Sequence, residues 1–287
     1  MKLLVSLVLA TLLLGSESLA GEGTETLLIN KLTNVFLKLP EGNPTKTKIT
    51  LRLADLHAER GRLEAKRESE KGCLKCTNGE ADRKKALEYY QYVLPKLKGE
   101  QRQNVLVQLG HIYEVLNQNG KAIRFYKKVL SGNQGVGASE ALFSLAEIYF
   151  KERKYSEAKG YFKRALSTDG FRRRGLASFR LAWCQYNTGE IRAAVNGLEK
   201  MLTTPELLTR NGENIVNVDQ DFKSEVAKDF TVFLAHSSQI NVGAIKKVYK
   251  YSPESTRIEN VSFLAKELER LGRIPDNASL IVRLALS

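Results

Sequence analysis

From residue 103 to residue 202 the apolar and polar positions repeat themselves. Three stretches align without gaps: "LVQLGHIYEVLNQNGKAIRFYKKVL" (106–130), "LFSLAEIYFKERKYSEAKGYFKRAL" (142–166) and "SFRLAWCQYNTGEIRAAVNGLEKML" (178–202), with starts 36 residues apart. In each, a leucine precedes a tiny residue: Leu109-Gly110, Leu145-Ala146, Leu181-Ala182. Thirteen residues after that leucine stands an alanine (Ala122, Ala158, Ala194), and four later a large apolar residue (Tyr126, Phe162, Leu198). Within a stretch the apolar residues fall at i, i+3, i+4 and i+7, the period of an amphipathic helix. Turn-prone residues such as Asn119-Gly120 and Thr188-Gly189 interrupt that period midway. The pattern predicts pairs of antiparallel helices that approach closely at the tiny residues. One such pair cannot bury its apolar face alone, whereas stacked copies can, so the expected fold is an all-α helical-hairpin solenoid.

Weaker copies flank the array. "ITLRLADLHAERGRL" carries Leu53-Ala54 in the paired position, and "ADRKKALEYYQYVL" supplies Ala86 and Tyr90 of a matching second helix. His57 and Ala86 are 29 residues apart where Tyr113 and Ala122 are 9 apart, so an insertion of 20 lies inside this first unit. At the far end, "KDFTVFLAHSSQINVGAIKKVYKY" and "FLAKELERLGRIPDNASLIVRLAL" read as two degenerate units. The chain stops inside the second helix of the latter with no polar capping helix, so the array is expected either to be capped by a partner or to continue in a longer protein. The predicted organisation is residues 21–45 as an N-terminal helix and linker, with the helix over 24–40 ended by Pro40; 46–98 as the first unit with its insertion; 103–206 as three tandem units; 207–220 as a polar linker; and 221–287 as degenerate helical units.

These units resemble tetratricopeptide repeats, whose pattern sets a large apolar residue, Leu-Gly/Ala, Tyr, Ala, Phe and Ala at fixed spacing. The unit from Gln103 matches with Leu106, Leu109, Gly110, Tyr113, Ala122 and Tyr126. The unit from Ser139 matches with Leu142, Leu145, Ala146, Tyr149, Ala158, Phe162 and Ala165. The unit from Gly175 is looser, with Ser178 for the first large residue and Gln185 for the tyrosine. The resemblance implies a right-handed superhelix whose first helices line a concave groove through positions 2, 5, 9, 12 and 13 of each unit. Carried onto this chain, those positions include His111, Phe143, Glu147, Phe150, Phe179, Trp183 and Tyr186. Aromatic side chains anchor interfaces, so the expected site is a groove for an apolar or aromatic peptide or helix. The competing expectation is that a neighbouring helix covers these rings as core. A similar layout occurs in secreted bacterial tetratricopeptide proteins of the cell envelope. The resemblance specifies fold rather than function.

The N-terminus bears on the compartment. "MKLLVSLVLATLLLGSESLAGEG" has Lys2, then 13 apolar and small residues over 3–15, then small residues at Ser18 and Ala20. This is the layout of a secretory leader, residues 1–20, cleaved after Ala20. The run is short of the roughly 20 apolar residues that a spanning helix needs. Ser16 stands where a lipoprotein leader needs cysteine, so no lipid anchor is expected. Cleavage would leave 267 residues and, since Lys2 and Glu17 both leave, an unchanged net charge of +13. That basic balance favours acidic partners or anionic surfaces without naming one. Its densest run is "GFRRRG", with Arg172, Arg173 and Arg174 as an anion-binding candidate between two units; a solvated loop reads the same way.

Cys73 and Cys76 lie in the insertion at C-x-x-C spacing, and Cys184 is the third cysteine. Exported cysteines tend to be oxidised, which favours a local disulfide closing the inserted loop. A reactive dithiol needs a preceding strand and a helix N-terminus, and Cys73 follows a Lys- and Glu-rich helical stretch. A structural zinc site needs four ligands, and none of His57, His111 and His236 has ligand spacing to the pair, so no metal set is expected. His57 occupies a repeat tyrosine position and reads as a packed core group, and Cys184 as a small buried residue. There is no Gly-rich phosphate loop after a strand, no H-E-x-x-H and no G-x-S-x-G.

The expectation is therefore a non-enzymatic protein–protein interaction scaffold of the bacterial cell envelope, in the periplasm or at the outer-membrane periphery. Its partner would be another envelope protein, with no cofactor, no nucleic acid and no stable membrane insertion after leader cleavage. Two other readings stay open: an exported thiol-disulfide or metal-handling protein using Cys73 and Cys76, and a binder of anionic polymer or lipid through basic loops.

Overall fold

A computed structural model describes residues 16–273, except 74–75, 78, 133–135, 211–217 and 239–241. The apolar run of the leader and the last residues of the final degenerate unit, 274–287, lie outside the described residues. All regular structure among the described residues is helical, in twelve α-helices: α1 Ser16–Lys38, α2 Pro44–Glu70, α3 Glu80–Val93, α4 Gly99–Val115, α5 Asn119–Leu130, α6 Val136–Lys151, α7 Tyr155–Leu166, α8 Arg174–Asn187, α9 Ile191–Leu202, α10 Gln220–His236, α11 Val242–Tyr251 and α12 Arg257–Arg270. Among the described residues, no helix is long and apolar enough to cross a membrane. The chain divides into two compact units, residues 1–125 and 126–287, with the boundary inside α5.

In the first unit, α2 starts at a well-built cap. Asn43 accepts a hydrogen bond from the Thr45 N–H, and Pro44 occupies the first helical position, where a missing N–H costs nothing. The helix then runs 27 residues, roughly 40 Å at 1.5 Å per residue. The predicted insertion is therefore mostly helix. The strong helix formers of "RLEAKRESE" extend α2 by several turns, and only residues 71–79 are left to reverse the chain. α3 returns antiparallel. The Tyr90 hydroxyl donates to Asp55 (2.7 Å), and Asp82 takes His57 Nδ1 at 2.6 Å and a two-pronged contact from Arg60 at 2.7 and 2.6 Å. Burial pushes the Asp82 carboxyl up, but the Arg60 and His57 contacts outweigh it and hold the group below its ordinary value. His57 is buried, as expected for a core group. α1 lays Ile29, Leu32 and Phe36 against Leu53, Leu56 and Tyr89.

In the second unit, α6 to α9 form two successive hairpins. The repeat positions behave as the period demands: Ala158 and Ala194, like Ala122 at the end of the first unit, and likewise Tyr126, Phe162 and Leu198, have no exposed surface. Leu142, Phe143, Phe162, Phe171 and Cys184 share one core cluster. Phe179, Leu198, Phe222, Phe230, Phe233 and Leu264 belong to a larger one, reaching from α8 to α12. Burial pushes the Cys184 thiol up to about 12, so it stays an unreactive packing group. The segment read as a polar linker over 207–220 begins as packed chain. Leu208 and Thr209 are buried, and the backbone carbonyls of Thr209 and Leu207 sit where a Cβ on Gly175 would lie 2.3 and 2.5 Å from them. The start of α8 thus needs glycine because another strand of chain crosses it. Beyond, α10 packs on both α9 and α12, and α11 on α10 and α12, so the two degenerate units share one core.

Candidate interaction surface

The groove positions expected on α6 and α8 fall along a seam of ion pairs and stacked rings. Glu140 and Glu147 stand seven residues apart on α6, and Arg173 and Arg180 seven apart at the start and middle of α8. Glu140 pairs with Arg173, and Glu147 with Arg180 at 3.4 Å. Matching i, i+7 spacings on both helices mean that they run parallel in register across two turns. The guanidinium of Arg173 lies 3.9 Å from the ring centre of Phe143, and that of Arg180 lies 4.9 Å from Phe150. Each arginine therefore answers a carboxylate and covers a ring, a double use that its planar fork permits and that lysine would not.

From α8 the seam continues to α10. The Trp183 indole N–H donates to Asp229 Oδ2 at 2.6 Å, and its ring meets Phe233 edge-on at 5.0 Å. Tyr186 stacks on Phe233 at 4.1 Å. Its hydroxyl reaches His236 Nδ1, and His236 Nε2 reaches Glu267 at 3.0 Å, an arrangement satisfied when the Nε2–H donates to the carboxylate. The Glu267 carboxyl is held down to about 2, chiefly by Arg270 and more weakly by His236. Asp229 goes the other way. Burial raises it to about 6 against the pull of the Trp183 hydrogen bond, with Glu225 adding to the rise.

That rise has a sign in stability. The folded-state value lies above the unfolded one, near 3.9. Asp229 therefore contributes a penalty that is absent below about pH 4 and fully present above about pH 6. Asp229→Asn keeps an acceptor for the indole N–H and removes the desolvated charge. We expect it to stabilise the chain by about 1–2 kcal/mol at neutral pH after allowance for partial exposure. Thermal melts at stepped pH check this: the gap to wild type should narrow as pH falls from 7.5 to 4.5, and a gap independent of pH would rule it out.

Two of the expected groove residues are not surface. Phe143 is 2% and Phe179 1% exposed. Arg173 and Phe162 close over the first, and Phe222 meets the second edge-on at 5.4 Å. They are core, as the competing expectation had it, because a neighbouring helix lies over position 5. Phe150, Glu147, Trp183 and Tyr186 are half-buried; beside Phe150 and Tyr186, Lys151 and Asn187 are exposed. His111 is half-buried on α4, in the first unit. The arginine run is also split. Phe171 is buried and anchors the loop, Arg173 is taken by Glu140 and Phe143, and Arg172 and Arg174 alone are exposed. Of the three arginines of the anion-binding candidate, Arg172 and Arg174 thus stay exposed, while the half-buried Arg173 is engaged by Glu140 and Phe143.

Cys73 and Cys76 lie at disulfide distance with Cα atoms 5.6 Å apart, in accord with the staple reading, although the pair closes a short turn rather than a large inserted loop. The turn also brings Glu68 to the sulfurs: the Cys73 N–H donates to the Glu68 carbonyl at 3.2 Å, and the Thr77 N–H and hydroxyl donate to its carboxylate at 2.9 and 2.7 Å. Sequence reasoning missed Glu68 and Asp229. The only signal for Glu68 was its place five residues before Cys73, at the end of a helix about to reverse.

Two stretches of the chain match family models described as tetratricopeptide repeat, residues 104–132 and residues 139–170. Both begin within one residue of the units read from the 36-residue period. Together with the all-helical hairpins they support placing these repeats in the tetratricopeptide superfamily. No curated protein sequence matches the chain.

Proposed function

We propose that this chain is a non-enzymatic protein–protein interaction scaffold of the bacterial cell envelope, and that it takes a partner peptide or helix along the exposed edge of its first helices. The observation that carries this is the pair of tetratricopeptide matches lying on helical hairpins. Repeats of this kind suggest protein partners, and proteins built of them are generally non-enzymatic scaffolds. The leader-like N-terminus supports export. With Phe143 and Phe179 committed to the core, the surface proposed for the partner in the second unit is Phe150, Lys151, Tyr186 and Asn187, flanked by the Glu147–Arg180 pair. Half-exposed rings beside charged groups are the composition of an interface centre with a polar rim.

The test is capture from an envelope extract. Bait would be residues 21–287, beside the variant Lys151→Glu/Asn187→Arg. Both substitutions fall on exposed positions, so circular dichroism and the melting midpoint should match wild type within about 0.5 kcal/mol. A protein held by wild type and lost from the variant supports the reading. Equal retention by both removes this edge from the site.

A further inference from the structure

The turn between α2 and α3 gathers three metal-ligand side chains: the C-x-x-C pair that spacing announces, and Glu68, which it does not. Lys71 and Gly72 close the last turn of α2, and the Cys73 N–H reaches back to the Glu68 carbonyl. The sulfurs of Cys73 and Cys76 and a carboxylate oxygen of Glu68 consequently all lie within 4.8 Å of one another. In a tetrahedral zinc site with Zn–S near 2.3 Å and Zn–O near 2.0 Å, neighbouring ligand atoms are about 3.5–4 Å apart. The Glu68 oxygen thus already lies within reach of one coordination sphere, and the two sulfurs, bonded to each other in the oxidised chain, need only part to that spacing once reduced. We propose that, when Cys73 and Cys76 are reduced, this turn binds one thiophilic divalent cation of the Zn2+ class through both thiolates and Glu68, with water in the fourth position.

Four further features fit that role. Thr77 donates twice to the Glu68 carboxylate, the kind of outer hydrogen bonding that orients a metal ligand. Arg67 and Lys71 line the adjoining cavity with Glu64, Glu68 and Cys73, a hollow of about 420 Å³. Arg67 and Lys71 offset the net negative charge left when two thiolates and Glu68 meet one divalent ion, in a hollow whose other charges are Arg60 against Glu64 and Asp82. Access is open, since Cys76 is exposed and Cys73 and Glu68 are half-buried. The C-x-x-C spacing lets one turn of chain present two sulfurs to one ion.

The chemistry balances as two steps. A dithiol reductant transfers two electrons and two protons to the Cys73–Cys76 bond and becomes a disulfide itself, leaving two thiols. The cation then displaces both thiol protons to solvent as the two metal–sulfur bonds form; Glu68 binds already ionised. Oxidation and cation binding therefore exclude each other. The proposal is independent of the scaffold reading, because it rests on the first unit alone.

The experiment titrates Co2+ into the full chain, reduced with a phosphine and held without oxygen, and follows the thiolate-to-cobalt charge-transfer band. Expected are one ion per chain, displacement by Zn2+, and no band from the oxidised chain. Cys73→Ser and Cys76→Ser should each lose the band's two-sulfur intensity, and Cys184→Ala should keep it. In competition against a chromogenic chelator, Glu68→Gln should weaken Zn2+ by about tenfold or more. Absence of the band in the reduced chain, one ion shared by two chains, or unchanged affinity in Glu68→Gln would each overturn the proposal.

Discussion

Replacing Gly79 with alanine is expected to destabilise the chain by about 2–5 kcal/mol, the sum of a left-handed backbone carrying a Cβ and an overpacked contact. Gly79 has φ +62° at the start of α3, and an added Cβ would lie 2.1 Å from the carbonyl oxygen of Gly61 and 2.5 Å from its Cα. The obstacle is backbone in the middle of α2, so no rotamer change relieves it. The two helices must separate, and the separation falls on the contacts that join them, His57 and Arg60 to Asp82. Gly72→Ala supplies the comparison. Gly72 also has a positive φ, +61°, but nothing lies within 4 Å of an added Cβ. It should cost only about 1–2 kcal/mol. Denaturant unfolding of both variants decides the matter: equal losses would mean that α2 and α3 do not approach at Gly61 and Gly79.

The contrast between those glycines also shows what was legible in the sequence. The 36-residue period located six helices of three hairpins, because in a stacked array each helix meets its neighbours in the chain and burial follows local spacing. Ala158 and Phe162 were readable as core from their places in the period alone. The exposure of position 5 was not readable. Spacing tells which side of α6 Phe143 occupies, but not that Arg173, thirty residues on, folds across it. For the same reason Trp183 read as a groove aromatic, although its indole N–H is met by Asp229, 46 residues away. The insertion was recognised by its length and misjudged in form. Helix-forming residues in a segment that breaks the period lengthen a helix as readily as they make a loop, and α2 carries most of the surplus. Glu68 reached the cysteines only through the reversal at Gly72, which hydropathy does not encode.

Phe162→Ala is the second large effect expected, about 3–5 kcal/mol. Phe162 has no exposed surface and stands edge-on to Phe143 at 5.7 Å and to Phe150 at 6.5 Å, so its removal opens a cavity bounded by rings that cannot collapse without leaving α6. Tyr161 is the control. It is half-exposed, and its main ring contact is Tyr149, stacked at 5.5 Å. Tyr161→Ala should cost about 0.5–1.5 kcal/mol. Trp183 is the chain's one tryptophan, so fluorescence reports α8 and α10, while far-ultraviolet dichroism reports all helices. If the second unit unfolds cooperatively, both signals shift by the same amount in Phe162→Ala. If α6–α7 unfold apart from the larger core of α8–α12, dichroism shifts and fluorescence does not. In either case partner capture should fail together with the fold, because Phe150 rests on Phe162. In Lys151→Glu/Asn187→Arg capture should fail while the fold persists. That difference separates a residue that builds the surface from residues that form it, and similar losses for Phe162→Ala and Tyr161→Ala would show that the ring at 162 is not at the centre of the hairpin.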